Sequence, residues 1–248
     1  MACPRPEPAA PWRLWCLPHA GGGASSWLPW GPALSGIAEV AALRPPGREM
    51  RLMEPPATRA AALAEGLFAE MSPYLDRPYV LAGHSVGAVI AFELARLARA
   101  RGRPAPAALI VSGARSPGTP RRESDLHPLP EAEFVTALDE RYGGIPPAVR
   151  SQPELLALLL PLMRADVSVY ETYALRPEAP LDCPILALGG RTDVHVTEDD
   201  VLAWRTHTRG RFEAQFFPGG HFFIQSDFGP AADCVKHFLS RLSEGLFF

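Results

Sequence analysis

Residues 79–87 read YVLAGHSVG, a short apolar run that leads directly into a glycine, serine and glycine pattern. A continuous apolar run of this length is typical of a strand that is buried on both faces of a parallel sheet. After the pattern, apolar residues recur at helical spacing from Val86 to Arg101, with charged residues on the opposite side. The sequence therefore predicts a strand, a sharp turn at Ser85 and a helix.

Ser85 lies in the setting that a nucleophile elbow requires. Gly83 and Gly87 stand two positions before and after it. Because glycine has no Cβ, the strand and the helix can approach each other closely there, and the strained turn leaves the serine hydroxyl above the sheet. We predict that Ser85 is a nucleophile.

Further apolar runs, bounded by turn signals, alternate with helical patterns along the chain. The predicted strands are Arg13 to Leu17, Val40 to Leu43, Tyr79 to Ala82, Ala107 to Ser112, Pro184 to Leu188 and Phe212 to Phe217; the predicted helices include Thr58 to Met71, Val86 to Arg101, Asp199 to Thr208 and Pro230 to Leu242. This alternation predicts an α/β fold with a mostly parallel central sheet flanked by helices. The length of 248 residues suits one such domain, 1–248.

The interval from Ala114 to Asp182 interrupts this alternation. It contains helical patterns near Pro130 to Glu140 and from Ser151 to Tyr173, and we predict a lid subdomain at approximately 115–180. In the second pattern, Ser151 and Glu154 have the spacing of a capping box.

The second helical pattern in this interval is apolar nearly all round. Leu155, Leu159 and Met163 are its candidate substrate-channel residues, and Pro161 is expected to kink it. A buried core helix is the alternative interpretation.

A serine hydroxyl needs a base to remove its proton and an acid to orient that base. In the serine, acid and histidine order of α/β-hydrolases, His221 fits the base because it follows a predicted strand and a glycine turn. Asp193 fits the acid because it lies just beyond the preceding strand. The less favoured candidates are His127, His195, His207 and His237 for the base, and Asp166, Asp182, Asp199 and Asp200 for the acid.

The segment Pro18-His19-Ala20-Gly21-Gly22-Gly23 follows the first predicted strand. Backbone amides at such a position stabilise the oxyanion of a tetrahedral intermediate, and we assign this role to the N–H groups of Ala20 and Val86. A phosphate-binding loop is the competing interpretation. It fails because no Lys-Ser or Lys-Thr follows the glycines.

Composition excludes several other classes of function. A formal net charge of −3 without a dominant basic block argues against a nucleic-acid partner. The first residues lack a signal-peptide pattern, and the longest apolar run, Leu155 to Met163, is too short to cross a membrane. We therefore expect a cytoplasmic protein. The four scattered cysteines form no metal-binding pattern, so we expect no metal site.

Six ordered motifs together resemble the stand-alone type II thioesterases of polyketide and nonribosomal peptide assembly lines, which are α/β-hydrolases. These motifs are Pro18-His19-Ala20-Gly21-Gly22-Gly23, Pro46-Gly47-Arg48-Glu49, Gly83-His84-Ser85-Val86-Gly87, Arg164-Ala165-Asp166, Gly189-Gly190-Arg191-Thr192-Asp193 and Gly219-Gly220-His221-Phe222-Phe223. The resemblance implies an α/β-hydrolase fold with a helical lid, and Ser85, Asp193 and His221 as the catalytic triad. The family usually has methionine where this chain has Val86, a change that alters the pocket and keeps the backbone N–H.

The resemblance also implies hydrolysis of aberrant or stalled acyl groups from the phosphopantetheine arm of acyl or peptidyl carrier proteins, with no cofactor of its own. Arg115, Arg121 and Arg122 would then rim the entrance and steer acidic carrier proteins, although a solvated charged loop is the favoured explanation of these residues. We expect a monomer. The alternatives are a small-molecule carboxylesterase, a cyclising release domain and a non-catalytic acyl- or carrier-binding module.

Overall fold

The computed structural model describes residues 1–142, 145 and 147–245, and a parallel sheet lies at the centre of the described chain. Its strands are β1 Trp12–Leu17, β2 Ala38–Ala42, β3 Tyr79–His84, β4 Ala108–Ser112, β5 Ile185–Gly190 and β6 Phe212–Phe217. They are ordered β2-β1-β3-β4-β5-β6, and every neighbouring pair is parallel. Each predicted strand is found, with ends that differ by no more than two residues.

Helices cover both faces of this sheet. They are α1 Trp30–Ala33, α2 Ala60–Met71, α3 Val86–Ala100, α4 Glu131–Tyr142, α5 Pro147–Arg150, α6 Pro153–Glu171, α7 Glu198–Leu202, α8 Phe223–Ser226 and α9 Phe228–Ser243. Successive strand residues point to opposite faces. In β3, Leu81 packs with α2 and α3, whereas Ala82 packs with α1 and α9. Burial on both sides explains why the strands read as continuous apolar runs.

The order of the strands determines where a site can form. The chain runs from β1 outward to β2 and then returns to place β3 on the other side of β1. At such a switch point the loops after the two central strands separate and leave a crevice at their carboxyl ends. The loop after β1 carries Ala20, and β3 is followed by Ser85.

The segment between β4 and β5 carries α4, α5 and α6. Leu138 of α4 and Leu160 and Met163 of α6 belong to a hydrophobic cluster of their own, separate from the two cores of the sheet. The end of α6 behaves differently, because Val169 is fully buried in the main core. The end of α6 is thus part of the buried core, whereas its middle packs in the separate cluster.

Helix α6 begins later than its sequence suggested. Its N-cap is Gln152, which makes no side-chain capping bond, and Pro153 occupies the first turn. The predicted capping box of Ser151 and Glu154 is therefore wrong, since proline at this position restricts Gln152 to extended backbone and starts the helix there. Pro161 lies inside the helix, which continues through it to Glu171.

The predicted helix from Asp199 to Thr208 is divided in two. Helix α7 ends at Leu202, and a 3₁₀ helix follows from Ala203 to His207. Among the described residues, no helix combines the length and apolar character needed to cross a membrane.

Candidate active site

Ser85 occupies a strained turn between β3 and α3. Its backbone has φ 56° and ψ −124°, a left-handed conformation that costs free energy for a residue with a side chain. The turn is held by a hydrogen bond of 2.8 Å from the Ser85 N–H to the carbonyl of Ser112. A Cβ on Gly83 would collide with the Gly87 carbonyl, and one on Gly87 would lie 2.5 Å from the Leu17 carbonyl oxygen. The two glycines are therefore required for strand and helix to meet at Ser85.

A chain of hydrogen bonds joins the three predicted triad residues. The Ser85 hydroxyl oxygen lies 3.0 Å from Nε2 of His221, and Nδ1 of His221 lies 2.8 Å from Oδ2 of Asp193. The other carboxylate oxygen of Asp193 accepts the backbone N–H groups of His195 and Val196 at 3.0 and 3.1 Å. The structure thus brings together a hydroxyl, an imidazole and a carboxylate in the order that nucleophile activation requires.

The surroundings of Asp193 keep its carboxyl group ionised. Burial raises the pKa, but the hydrogen bond and charge of His221 and the N–H groups of His195 and Val196 lower it more. The net pKa lies below the usual value for aspartate. The Asp193 carboxylate can therefore accept a hydrogen bond from the N–H at Nδ1 of His221. Nε2 of His221 then carries no proton and can accept the one from Ser85.

The less favoured candidates lie in other settings. Nδ1 of His127 bonds to Glu171, Nε2 of His207 bonds to the Pro117 carbonyl, and His237 is exposed. Asp166 and Asp200 pair with Arg48 and Arg122, while Asp182 and Asp199 are exposed. His195 is nearest to the triad, but it contributes its backbone N–H to Asp193.

Two further imidazoles surround His221 and stay neutral. Burial lowers the pKa of His19 to about 4, and the charges of His221 and Arg48 add to the shift. Burial also holds the pKa of His84 well below its usual value, with smaller contributions from His221 and His19. Neutral neighbours favour the site because they do not repel the positive charge that His221 gains when it takes a proton.

The low pKa of His19 predicts a pH-dependent stability. Between about pH 6.5 and 4 the unfolded chain binds a proton at His19 that the folded protein does not, so acidification favours unfolding. We expect the free energy of unfolding, measured by urea titration between pH 6.5 and 4.5, to fall less steeply in His19→Gln. The difference in slope is at most about 1.4 kcal/mol per pH unit for this one proton.

His237→Gln is the matched control for this measurement, because its side chain is exposed and its replacement should leave the slope unchanged. An equal slope in wild type and His19→Gln would show that folding does not lower the pKa of His19.

An apolar cavity of about 50 Å³ opens beside Ser85 and His221. Its described wall is formed by His19, Ala20, Ser85, Val86, Leu138, Tyr142, Met163, Val167, Tyr170, Glu171, His221 and Phe222. It therefore adjoins the nucleophile and combines a mostly apolar surface with several polar side chains, as small-molecule sites commonly do.

Of the three predicted channel residues, Met163 lines this cavity, whereas the described wall does not include Leu155 or Leu159. All three share one face of α6, but the cavity extends from Met163 toward the end of the helix, to Val167. Leu159 and Leu155 lie one and two turns in the other direction, about 6 and 12 Å along the axis. The contact of Met163 with this cavity is thus observed, and the roles of all three residues in a substrate channel stay predictions.

A second, polar cavity of about 10 Å³ also adjoins Ser85 and is lined in part by Arg115, Glu123 and Arg141. Arg115 is only 6% exposed and pairs with Glu123, so it does not rim an entrance as expected. Its pairing partner was not evident from sequence.

The other two arginines of the expected rim are also engaged within the chain. Arg122 forms two hydrogen bonds of 2.8 and 2.9 Å with Asp200. Arg121 donates to the Glu171 carbonyl at 2.8 Å and pairs with Asp125. These charges hold loops of this protein in place, and they give no specific support to a docking role. Among the described residues, no group of three or more His, Cys, Asp or Glu could hold a metal ion.

The two predicted oxyanion donors border the apolar cavity. Val86 is the first residue of α3, so its N–H has no acceptor within the helix. Ala20 reaches the same cavity from the loop after β1. The two amides thus come from the segments that follow β1 and β3, at the switch point of the sheet.

The contacts of Glu171, Arg48 and Asp166 in and near the site were not predicted from sequence. Glu171 lines the apolar cavity and accepts the backbone N–H groups of Leu126 and His127 at 2.8 and 2.9 Å. Arg48 and Asp166 form a buried ion pair next to the Ala20 loop. The latter two stand in motifs already singled out, Pro46-Gly47-Arg48-Glu49 and Arg164-Ala165-Asp166, but nothing local indicates that they meet.

Comparisons with known proteins find a matching family model and several similar proteins. The family model described as a thioesterase domain matches residues 12–239. Gramicidin S biosynthesis protein GrsT of Aneurinibacillus migulanus is 39% identical over 216 residues, which are 87% of this chain and 84% of that protein. The crystal structure of ClbQ from the colibactin NRPS/PKS pathway has a TM-score of 0.89 at 30% identity and covers 94% of this chain and 99% of its own. The type II thioesterase BorB from the borrelidin biosynthetic cluster has a TM-score of 0.84 at 36% identity, over 96% and 95% of the two chains.

Proposed function

Since this chain belongs to the thioesterase family, we propose that Ser85, His221 and Asp193 hydrolyse acyl groups from the phosphopantetheine arm of a carrier protein. The chain is a thioester hydrolase of the type II group, whose relatives serve nonribosomal peptide and polyketide pathways. The observation that carries the assignment of residues is the continuous hydrogen-bonded chain from Ser85 through His221 to Asp193 beside an apolar cavity.

The reaction proceeds in two halves. His221 Nε2 takes the proton of Ser85 while Oγ attacks the thioester carbonyl, and the oxyanion that forms accepts the N–H groups of Ala20 and Val86. The C–S bond then breaks, and His221 returns the proton to the departing sulfur. In the second half, His221 takes a proton from water, which attacks the acyl-serine ester, and the Ser85 oxygen leaves with that proton. The products are a free acid and the carrier thiol.

The size of the apolar cavity favours short acyl groups. A volume of about 50 Å³ holds roughly four water molecules, or an acyl group with a similar number of non-hydrogen atoms. Removal of small, stalled or mis-primed acyl groups fits this limit and is the editing role that we propose. The segment with α4, α5 and α6 would act as the lid, because it contributes Leu138, Tyr142 and Met163 to the chamber. One copy of the chain supplies all the residues of this reaction. The monomeric state stays a prediction.

The choice between thioesterase and carboxylesterase can be tested with matched small substrates. We expect wild-type kcat/KM for a propionyl thioester of N-acetylcysteamine to exceed kcat/KM for the corresponding oxygen ester, and free propionate to be the product. Faster cleavage of the oxygen ester would favour the carboxylesterase. A cyclised product from a longer, nucleophile-bearing acyl chain would favour a release domain, and absence of labelling by a serine-directed phosphonate would favour a binding module.

Asp193→Asn is predicted to lower kcat by about 10³- to 10⁴-fold. The oxygen of the introduced amide can still accept the N–H groups of His195 and Val196, which directs its NH₂ group toward Nδ1 of His221. His221 would then carry its proton on Nε2 and could not accept one from Ser85. Steady-state hydrolysis of the propionyl thioester measures the effect.

Asp182→Asn, a substitution of an exposed aspartate in the loop before β5, is the control and should retain wild-type kcat. Turnover within tenfold of wild type in a folded Asp193→Asn would show that the carboxylate does not set the tautomer of His221.

A further inference from the structure

A buried ion pair joins α6 to the loop that carries Ala20. The guanidinium of Arg48 donates to both carboxylate oxygens of Asp166, at 2.8 and 2.9 Å. The same carboxylate accepts the backbone N–H of Gly21 at 2.7 Å, and Arg48 donates in addition to the Gly22 carbonyl at 2.7 Å. The two side chains are 6% and 5% exposed. One N–H and one C=O of the loop are thus bound to this pair.

Burial of two charges is costly unless geometry and hydrogen bonds compensate for it. Here the bidentate arrangement of Arg48 and Asp166 is the strong form of such a pair, and a third donor, Gly21, completes the contacts of the carboxylate. A pair of this kind is weak evidence for stability in itself. Its position therefore calls for another explanation.

That position brackets the Ala20 amide. Gly21 follows Ala20 directly and adopts φ 74°, and a Cβ placed on it would lie 3.3 Å from Met163 of α6. The loop also closes on itself through the Gly22 N–H, which donates to the His19 carbonyl at 3.0 Å. Gly21, which follows Ala20 in the loop, is therefore held by α6 through the carboxylate of Asp166 and the side chain of Met163.

We propose that Arg48 and Asp166 are positioning residues that orient the Ala20 N–H toward the oxyanion and couple this orientation to the position of α6. The inference rests on the proposed function, because it assigns a role in the hydrolysis by Ser85. Neither side chain lines the described wall of the cavity beside Ser85. Their action is therefore indirect. It stabilises the tetrahedral intermediate more than the bound substrate, because only the intermediate carries a full negative charge on the former carbonyl oxygen.

The affinities for two inhibitors distinguish a positioning role of Arg48 and Asp166 from a purely structural one. A propionyl-like trifluoromethyl ketone forms a tetrahedral adduct with Ser85 and needs the oxyanion donors. An unreactive thioether of the same shape needs only the cavity. We expect Asp166→Asn to lower kcat by roughly tenfold or more, short of the 10²- to 10³-fold that follows loss of a donor. Affinity for the ketone should fall by a similar factor, while KM and affinity for the thioether change little.

Asp166→Asn leaves Arg48 with an uncompensated buried charge, so a second variant guards against misfolding. The double variant Arg48→Met with Asp166→Leu replaces both charges by apolar groups, which folded proteins commonly tolerate. It should show the same loss of kcat and of ketone affinity. Glu39→Gln is the matched control, because Glu39 is also buried and pairs with Arg13 at 2.8 Å in the strands β2 and β1. It should lower the melting temperature and keep wild-type kcat.

The outcomes are distinguishable. Folded variants that keep wild-type kcat and ketone affinity would overturn the positioning role while wild-type hydrolysis, abolished in Ser85→Ala, still supported the proposed function. Equal losses of ketone and thioether affinity would also overturn it, because they would indicate a damaged cavity. Absence of hydrolysis by the wild type would instead contradict the proposed function itself.

Discussion

Ser85→Ala is expected to lower kcat for thioester hydrolysis by on the order of 10⁴- to 10⁶-fold. The loss is this large because no other group replaces the attacking oxygen, which lies 3.0 Å from Nε2 of His221 in a turn built to expose it. The stability of the fold should not suffer, since alanine removes only the hydroxyl from a residue whose backbone is already strained at φ 56°. Release of free acid from the propionyl thioester measures the rate.

Ser240→Ala is the matched control for this experiment. Ser240 lies on α9, where its hydroxyl donates to the Lys236 carbonyl one turn earlier. Its replacement should leave kcat at the wild-type value. Substantial turnover in a folded Ser85→Ala would show that hydrolysis in this protein does not pass through an acyl-serine.

His221→Ala is expected to have an effect of similar size, again on the order of 10⁴- to 10⁶-fold in kcat. Without His221, the proton of Ser85 has no acceptor, and Asp193 is separated from the hydroxyl by the missing ring. Because serine and histidine act as a unit, the double variant Ser85→Ala/His221→Ala should be no slower than either single variant. The control is His237→Ala, which replaces an exposed histidine on α9.

Two results would contradict this role of His221. One is a folded His221→Ala with wild-type turnover. The other is a double variant that is slower than both single variants by the product of their effects, because independent contributions multiply and those of a nucleophile and its base do not.

Strands β1 to β5 were predictable because they are largely buried on both faces, whereas β6 is only partly buried. A strand such as Tyr79–His84 reads as an apolar run whatever its neighbours are, and the glycine pattern after it fixes the elbow. The triad was predictable for a related reason. In a parallel sheet, residues just beyond the carboxyl ends of strands meet at one edge, so Ser85, Asp193 and His221 could be placed together from their positions after β3, β5 and β6.

Contacts between distant loops could not be predicted in the same way. Arg48 and Asp166 are 118 residues apart, and neither position is marked by local periodicity as facing the other. The same limit affected Arg115, whose pairing with Glu123 and Asp200 buries a charge that was expected at the surface. The direction of the cavity along α6 is a third example, because helical spacing defines a face and does not indicate which end of it meets the nucleophile.

The central claim is that Ser85 removes acyl groups from a carrier-bound phosphopantetheine arm. The most direct measurement is mass spectrometry of a propionyl-loaded holo-carrier protein during incubation with wild type or with Ser85→Ala. We predict that wild type returns the carrier to its free-thiol mass and releases propionate, while Ser85→Ala leaves the carrier loaded. A carrier that stays loaded with the wild-type protein, under conditions in which a small oxygen ester is cleaved, would contradict the claim.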